Sequence, residues 1–174
     1  MAEHSAEGQT DNGAARFIAD PDPLIVHRIG TAIQQMSHHL DEEDYAPFMA
    51  FFGGEATYKI TAFSAELRKE VAFLDLDREG LDVLLKGMGD HVRFPNKLIR
   101  HPSPPMLLSA DGSRVTCLSK LAVYHIDPRG AGGLYAVGQY MDCFDLSGAD
   151  RPMLVSRNVA LETRTFPFAS HIPL

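Results

Sequence analysis

Residues 133–174 read GLYAVGQYMDCFDLSGADRPMLVSRNVALETRTFPFASHIPL, and this stretch decides the fold. Two runs rich in β-branched and aromatic residues flank a polar turn at residues 147–152 (SGADRP). Gly and Asp tolerate the dihedral angles of turns, and Pro152 cannot donate a hydrogen bond within a strand ladder beyond the first position. The pattern predicts a β-hairpin, whose apolar face must be covered by elements from earlier in the chain.

The earlier part of the chain begins with predicted helices. Apolar residues at spacings of three and four predict helices over residues 22–40 and 77–92, and a short helix between them from Tyr45 to Gly53-Gly54. Other stretches are predicted to be strands, with a hairpin turn at Asp111-Gly112: residues 56–63, 71–76, 106–110 and 113–126.

The segment at residues 95–105 is rich in proline and is predicted to be irregular. The order of elements predicts an α+β cone. Three N-terminal helices pack on the concave face of a strongly curved, mostly antiparallel sheet around a central cavity. The length of 174 residues suits one domain over residues 21–174, preceded by a disordered polar tail at residues 1–20.

The charge and hydropathy of the chain argue against two classes of function, nucleic-acid binding and membrane insertion. The formal net charge is −7 and no stretch forms a basic stripe, which argues against a nucleic-acid binder. Apolar runs do not reach the roughly 20 residues that span a bilayer, and the first residues do not have the pattern of a signal peptide. We therefore expect a cytoplasmic protein that binds neither nucleic acid nor a membrane.

The two cysteines, Cys117 and Cys143, fall in the middle of predicted strands. Free cysteine packs as a small apolar residue, so two buried thiols without a disulfide are predicted. Neither cysteine belongs to a Cys-x-His, Cys-x-x-Cys or Cys-x-x-His pair. These spacings do not predict an iron–sulfur cluster or a structural zinc site, so no metal or cofactor is expected in this chain.

The hairpin places an acidic residue opposite a basic one. Alternation predicts one face of the first strand to contain Gly138, Tyr140, Asp142 and Phe144. The corresponding face of the second strand is predicted to contain Val155, Arg157, Val159 and Leu161. An Asp among apolar neighbours opposite an Arg predicts a buried cross-strand pair between Asp142 and Arg157. The alternative is two solvated charges on an outer face.

Arg100-His101 lies in the segment predicted to be irregular, just before the long strands. His101 has three possible roles: a surface or capping histidine, a contact to a partner subunit, or an acid/base group in the cone pocket assisted by Tyr58 or Tyr140. The residue patterns alone leave these alternatives open.

With these motifs in order, the chain resembles the β (small) subunit of the Rieske-type aromatic-ring-hydroxylating dioxygenases. These subunits belong to the cone-shaped superfamily of nuclear transport factor 2 (NTF2-like), ketosteroid isomerase and the SnoaL-like cyclases. The resemblance covers residues 24–174, and four places carry it: residues 40–45 (LDEEDY) with 51–52 and 56–60, residues 100–101 (RH), residues 138–142 (GQYMD), and residues 156–162 (SRNVALE) with 172–174. Residues 66–80 (ELRKEVAFLDLDREG) differ from the benzoate and naphthalene types and are more similar to small subunits of alkanesulfonate-type monooxygenases.

The resemblance implies a small, non-catalytic structural subunit of a multicomponent oxygenase that degrades aromatic compounds or related organic acids and sulfonates. In that family the large α subunit carries the Rieske [2Fe-2S] cluster and the mononuclear iron, and the β subunit holds an α3β3 assembly together as a trimer. The resemblance gives a structural or interface role to five residues: Arg100, His101, Tyr140, Asp142 and Arg157.

The runner-up function is a stand-alone SnoaL-like cyclase, isomerase or dehydratase. Its acid/base set would be His101, Tyr58, Tyr45 and Asp142 in a dry pocket. A cavity filled by Met and Phe side chains, namely Met49, Phe52 and Phe144, would argue against it. A third possibility is a protein of the same fold that binds a small ligand without chemistry, because fold alone does not decide function.

Overall fold

The computed structural model describes residues 16–88, 95–148, 151–167 and 173–174. The helices are α1 (Pro23–Asp41), α2 (Tyr45–Met49) and α3 (Arg78–Gly87). The strands are β1 (Phe52–Ser64), β2 (Lys69–Asp77), β3 (Lys97–Pro102), β4 (Met106–Asp111), β5 (Arg114–Ile126), β6 (Gly132–Asp145) and β7 (Met153–Leu161). Among the residues described, no helix has the length and apolar character required to cross a membrane.

Helix α1 forms where the apolar spacing predicted it. The side chain of Asp22 accepts a hydrogen bond from the backbone N–H of Leu24 at 2.8 Å, and Pro23 occupies the first turn. Both features stabilise a helix N-terminus. The buried stripe of the helix consists of Ile29, Ala32, Ile33, Met36, Ser37 and Leu40. Most of residues 1–20 lies outside the described part, but the N–H of Ile18 donates to the carbonyl of Leu107 on β4 at 2.8 Å.

The strands form one seven-stranded sheet in the order β2-β1-β7-β6-β5-β3, and β4 also pairs with β5. Strands β1 and β7 are parallel, and all the other pairs are antiparallel. The predicted α+β class with a mostly antiparallel sheet is therefore confirmed. Strands β1, β5 and β6 are 13, 13 and 14 residues long, and long twisted strands curl the sheet around the helices.

The core lies between the helices and the inner face of the sheet. Helix α1 packs against β3, and α3 packs against β1. Aromatic side chains from several elements meet there: the rings of Phe48 and Phe52 lie 5.0 Å apart edge to face, and Phe52 lies 6.2 Å from Tyr58. Met49, Phe52 and Phe144 are all buried in this core. The side chains predicted to fill a central cavity therefore occupy the interior of the cone.

Two predictions about element boundaries are wrong, and a third lies largely outside the described residues. Residues 95–105 are not irregular throughout, because β3 spans Lys97–Pro102 and pairs with β5. Helix α2 ends at Met49, so Gly53-Gly54 lies within β1 and does not terminate a helix. The third helix ends at Gly87, and the rest of its predicted extent falls largely in residues 89–94, outside the described part.

The turn at Asp111-Gly112 follows the predicted chemistry. Gly112 has a φ angle of 57°, the left-handed conformation that glycine adopts without strain, and it connects β4 to β5. The predicted inward face of β7 needs one correction. A bulge lets Ser156 pair with Cys143 and Leu154 pair with Phe144, so Leu154 is buried in place of Val155.

Candidate functional site

A row of four side chains crosses the inner face of the sheet, one from each of four neighbouring strands. Tyr58 on β1 pairs in register with Arg157 on β7, which pairs with Asp142 on β6, which pairs with Cys117 on β5. All four are buried. Strand alternation and this register place one acid, one base and one phenol side by side inside the cone.

The predicted pair between Asp142 and Arg157 is present. Arg157 Nε donates to Asp142 Oδ1 and Nη2 donates to Oδ2, each at 2.8 Å, and neither side chain is exposed. Two parallel charge-assisted hydrogen bonds of this kind are the strong geometry for an Arg–carboxylate pair. The alternative of two solvated charges is therefore wrong.

The ring of Tyr140 supports the same guanidinium. The Arg157 Cζ lies 3.9 Å from the Tyr140 ring centroid, which is cation–π geometry. Burial lowers the pKa of Arg157, but the Asp142 carboxylate more than offsets this effect, so the pKa is raised above its ordinary value. Arg157 is thus held as a permanent cation between the Asp142 carboxylate and the Tyr140 ring.

A second ion pair fixes helix α1 to β3. Arg100 Nη1 lies 2.6 Å from Asp41 Oδ1, and the backbone N–H of Arg100 donates to both carboxylate oxygens at 3.2 Å. The Arg100 side chain is fully buried. Its Nη2 donates to the carbonyl of Pro173, and the hydroxyl of Tyr58 donates to the backbone oxygen of Leu174. Arg100 thereby joins a helix, a strand and residues close to the end of the sequence.

His101 lies on the opposite face of the sheet from these groups. It follows the buried Arg100 on β3, so its side chain faces outward, where its ring lies 5.6 Å from that of Tyr124. His101 is in a strand, and the prediction of a loop is wrong because alternation within β3 was not recognised in a proline-flanked segment.

The alternative acid/base set is not brought together. Tyr58 and Asp142 are inside the cone, His101 is outside it, and Tyr45 is partly buried at the start of α2. Asp142 is engaged by Arg157 through both oxygens. Burial raises the pKa of Tyr58, which keeps its phenol neutral. This geometry does not provide a general acid and base that face one pocket.

The residues of this chain do not fit a Rieske cluster, which takes two Cys and two His ligands. Cys117 is buried on the inner face of β5, whereas Cys143, which pairs with Thr116, is only partly buried on the other face. Among the described residues, no group of three or more His, Cys, Asp and Glu side chains could hold a metal ion.

Because Cys143 is only partly buried, the prediction of two buried thiols is wrong for that residue. The difference in burial between the two cysteines can be tested by chemical labelling. Burial raises the pKa of Cys117, so its thiolate, the reactive form, is scarce at neutral pH. In the folded chain we expect a thiol reagent such as Ellman's reagent to label Cys143 at least about tenfold faster than Cys117. Peptide mass spectrometry after brief labelling measures the ratio, and equal rates in the native state would contradict the strand orientation.

An outward-facing patch was not predicted from the sequence. It consists of five side chains on β3, β5 and β6, hereafter the outer patch: His101, Ala122, Tyr124, Leu134 and Val137. Register places His101 beside Ala122, Ala122 beside Val137, and Tyr124 beside Leu134. Tyr124, Leu134 and Val137 are 41%, 51% and 37% exposed. The sequence signal for the outer patch is that the adjacent strands β5 and β6 have apolar residues on both of their faces.

Comparisons with known proteins agree with this architecture. The chain is 30% identical over 135 residues to the β subunit of 2-aminobenzenesulfonate 2,3-dioxygenase from Alcaligenes sp., covering 78% of this chain and 89% of the relative. It is 27% identical to the hydroxylase β subunit of methanesulfonate monooxygenase from Methylosulfonomonas methylovora, covering 96% and 93%. No protein-family model matches the chain.

Solved structures share the fold at lower identity. A β subunit assigned to an aromatic-ring-hydroxylating dioxygenase of Novosphingobium aromaticivorans superimposes with a TM-score of 0.77 at 17% identity, covering 87% of this chain and 97% of that one. An NTF2-like protein with a cystatin-like fold from the same organism has a TM-score of 0.62 at 16% identity, with coverage of 80% and 82%.

The fold is therefore the NTF2-like cone, as the resemblance implied. Within that class, the chain belongs to the β subunits of the ring-hydroxylating oxygenases. Both curated relatives carry a sulfonate in their names, in agreement with the similarity of residues 66–80 to the sulfonate type.

Proposed function

We propose that this chain is a non-catalytic structural subunit of a Rieske oxygenase that acts on sulfonates. One observation supports this role above the others: the charged groups inside the cone form ion pairs with one another. Asp142 and Arg157 are joined through two hydrogen bonds, and Arg100 is joined to Asp41. Arg100, Tyr140, Asp142 and Arg157 then stabilise the scaffold, and His101 belongs to an interface.

The proposed substrate of the whole enzyme is an organic sulfonate, aromatic or alkyl. The proposal is supported by the two curated relatives, whose names contain 2-aminobenzenesulfonate and methanesulfonate. The redox chemistry would be supplied by a Rieske cluster and a mononuclear iron in the α subunit, in agreement with the lack of a metal-binding group among the residues that the structure describes. The assembly would be a cytoplasmic α3β3 complex in which three β subunits associate.

The outer patch is the proposed contact surface for neighbouring subunits. Tyr124 and Leu134 lie side by side near its edge, and both expose large apolar side chains. Exposed contiguous apolar surface is the usual mark of a protein–protein interface, and Tyr is enriched at the residues that dominate binding energy.

Co-expression with the α subunit of the proposed oxygenase tests this proposal. Leu134→Lys should leave the chain folded but reduce the yield of the complex at least about tenfold, because the contact would then have to cover an unpaired charge in place of an apolar side chain. Size-exclusion chromatography with light scattering measures the yield. The matched control is Val83→Lys on α3, a residue that is 65% exposed and lies away from the outer patch.

Two outcomes would contradict the proposal. A wild-type chain that remains a monomer in the presence of the large subunit would exclude the structural role. A Leu134→Lys complex formed in wild-type yield would exclude the outer patch as the contact surface.

A further inference from the structure

Pro173 and Leu174 are inserted into the polar interior of the cone. The side chain of Leu174 is 4% exposed and belongs to the hydrophobic core. The carbonyl of Pro173 accepts a hydrogen bond from Arg100 Nη2, and the backbone oxygen of Leu174 accepts one from the hydroxyl of Tyr58. Two consecutive backbone oxygens are therefore bound by two buried side chains from different strands.

We propose that Arg100 and Tyr58, inside the cone, form a built binding site for the chain's own Pro173 and Leu174. The site has two donors and one apolar slot, so it suits a short aliphatic peptide. This inference stands apart from the proposed assembly function, because it concerns groups inside one chain.

Both donors are also held by contacts that do not involve Pro173 or Leu174. Tyr58 is fixed by the register of β1 with β7, and Arg100 is fixed by its ion pair with Asp41 and by the pairing of β3 with β5. Such donors give specificity at low cost, since ordering them is part of folding the sheet. If Pro173 and Leu174 leave, the Tyr58 hydroxyl and Arg100 Nη2 lose these two acceptors, and unpaired buried donors are unfavourable.

The surroundings of the site are also polar. Among the described residues, two buried atoms near these donors have no hydrogen-bond partner: Arg100 Nε and Arg157 Nη1. The interior therefore holds more donors than the chain's own acceptors satisfy.

The test removes Pro173 and Leu174 from the otherwise full chain and measures the melting temperature without any partner subunit. We expect Tm to fall by about 5 °C or more, because a buried leucine and two buried hydrogen bonds are lost. A peptide with the sequence of residues 171–174 (HIPL), N-acetylated and added at millimolar concentration, should restore at least half of the fall in a saturable way. The same peptide with its final Leu replaced by Asp should not.

A second variant covers the case in which the shortened chain does not fold. Leu174→Ser in the full chain should lower Tm by about 3 °C or more, whereas Leu24→Ser on α1, where the leucine is 63% exposed, should leave it unchanged. An unchanged Tm in the shortened chain, or a fall that the HIPL peptide does not reverse, would overturn the proposal. Because no large subunit is present, failure here is distinguishable from failure of the assembly experiment.

Discussion

Replacing Asp142 with Leu is expected to lower the free energy of unfolding by about 3–5 kcal/mol, because it leaves the guanidinium of Arg157 buried without a counter-ion. Arg157 cannot escape this cost by losing its proton, since arginine remains charged in proteins. Its side chain is fully buried and cannot reach solvent without opening the sheet. In a domain of this size the loss corresponds to a fall in Tm of roughly 6–20 °C, measured by calorimetry or circular dichroism.

Two controls separate this effect from a general loss of charge. The first is Asp75→Asn at the exposed cross-strand pair of β1 and β2, where Lys59 Nζ lies 2.8 Å from Asp75 Oδ2. Both of these side chains are about half exposed, so the expected change is below about 1 kcal/mol. The second is the double variant Asp142→Leu with Arg157→Met, which should recover most of the lost stability because it removes both buried charges.

The milder Asp142→Asn variant connects stability to assembly. It keeps the shape of the side chain but removes the charge, so we expect a lower Tm and a lower yield of soluble chain or complex. If the melting temperature and the complex yield both remain at wild-type values, the pair between Asp142 and Arg157 does not have the scaffold role proposed for it.

The charge pair was predictable from the sequence because strand alternation acts over short distances. Once residues 133–174 are recognised as a hairpin, the alternation of side chains along each strand places Asp142 and Arg157 on the same inner face. The same reasoning failed at Val155, since a β-bulge inserts one residue and reverses the alternation on one side of it. Bulges depend on how two strands fit together, which the pattern of a single strand does not encode.

Contacts between residues far apart in the sequence could not be predicted from local sequence patterns. The pairing of Arg100 with Asp41 joins residues 59 positions apart, and the insertion of Leu174 against Tyr58 spans 116 positions. The parallel pairing of β1 with β7 could not be predicted either, because the sequence of a strand does not specify which strand it pairs with. The segment around His101 is an example. Its prolines predicted an irregular segment, but pairing with β5 makes it a strand.

Close packing against β7 explains why the GQYMD motif at residues 138–142 begins with a glycine. A Cβ atom added to Gly138 would lie 2.4 Å from the carbonyl oxygen of Ala160 and 3.0 Å from the Cα of Leu161. Both are backbone atoms of the neighbouring strand β7, which pairs with Gly138 in register. A Cβ atom cannot relieve this overlap by rotating, so the backbones of β6 and β7 must separate where Gly138 pairs with Leu161.

Gly138→Ala is therefore expected to destabilise the chain by about 3 kcal/mol, as overpacking against rigid surroundings does. The matched control is Gly54→Ala in β1, where an added Cβ meets no atom within 4 Å. Alanine restricts the unfolded chain more than glycine does, so this control should stabilise the protein by about 0.5–1 kcal/mol. Urea unfolding followed by circular dichroism measures both changes on one scale. Opposite signs at the two positions are the expected result, and a Gly138→Ala chain as stable as the wild type would mean that β6 and β7 do not approach as closely as described.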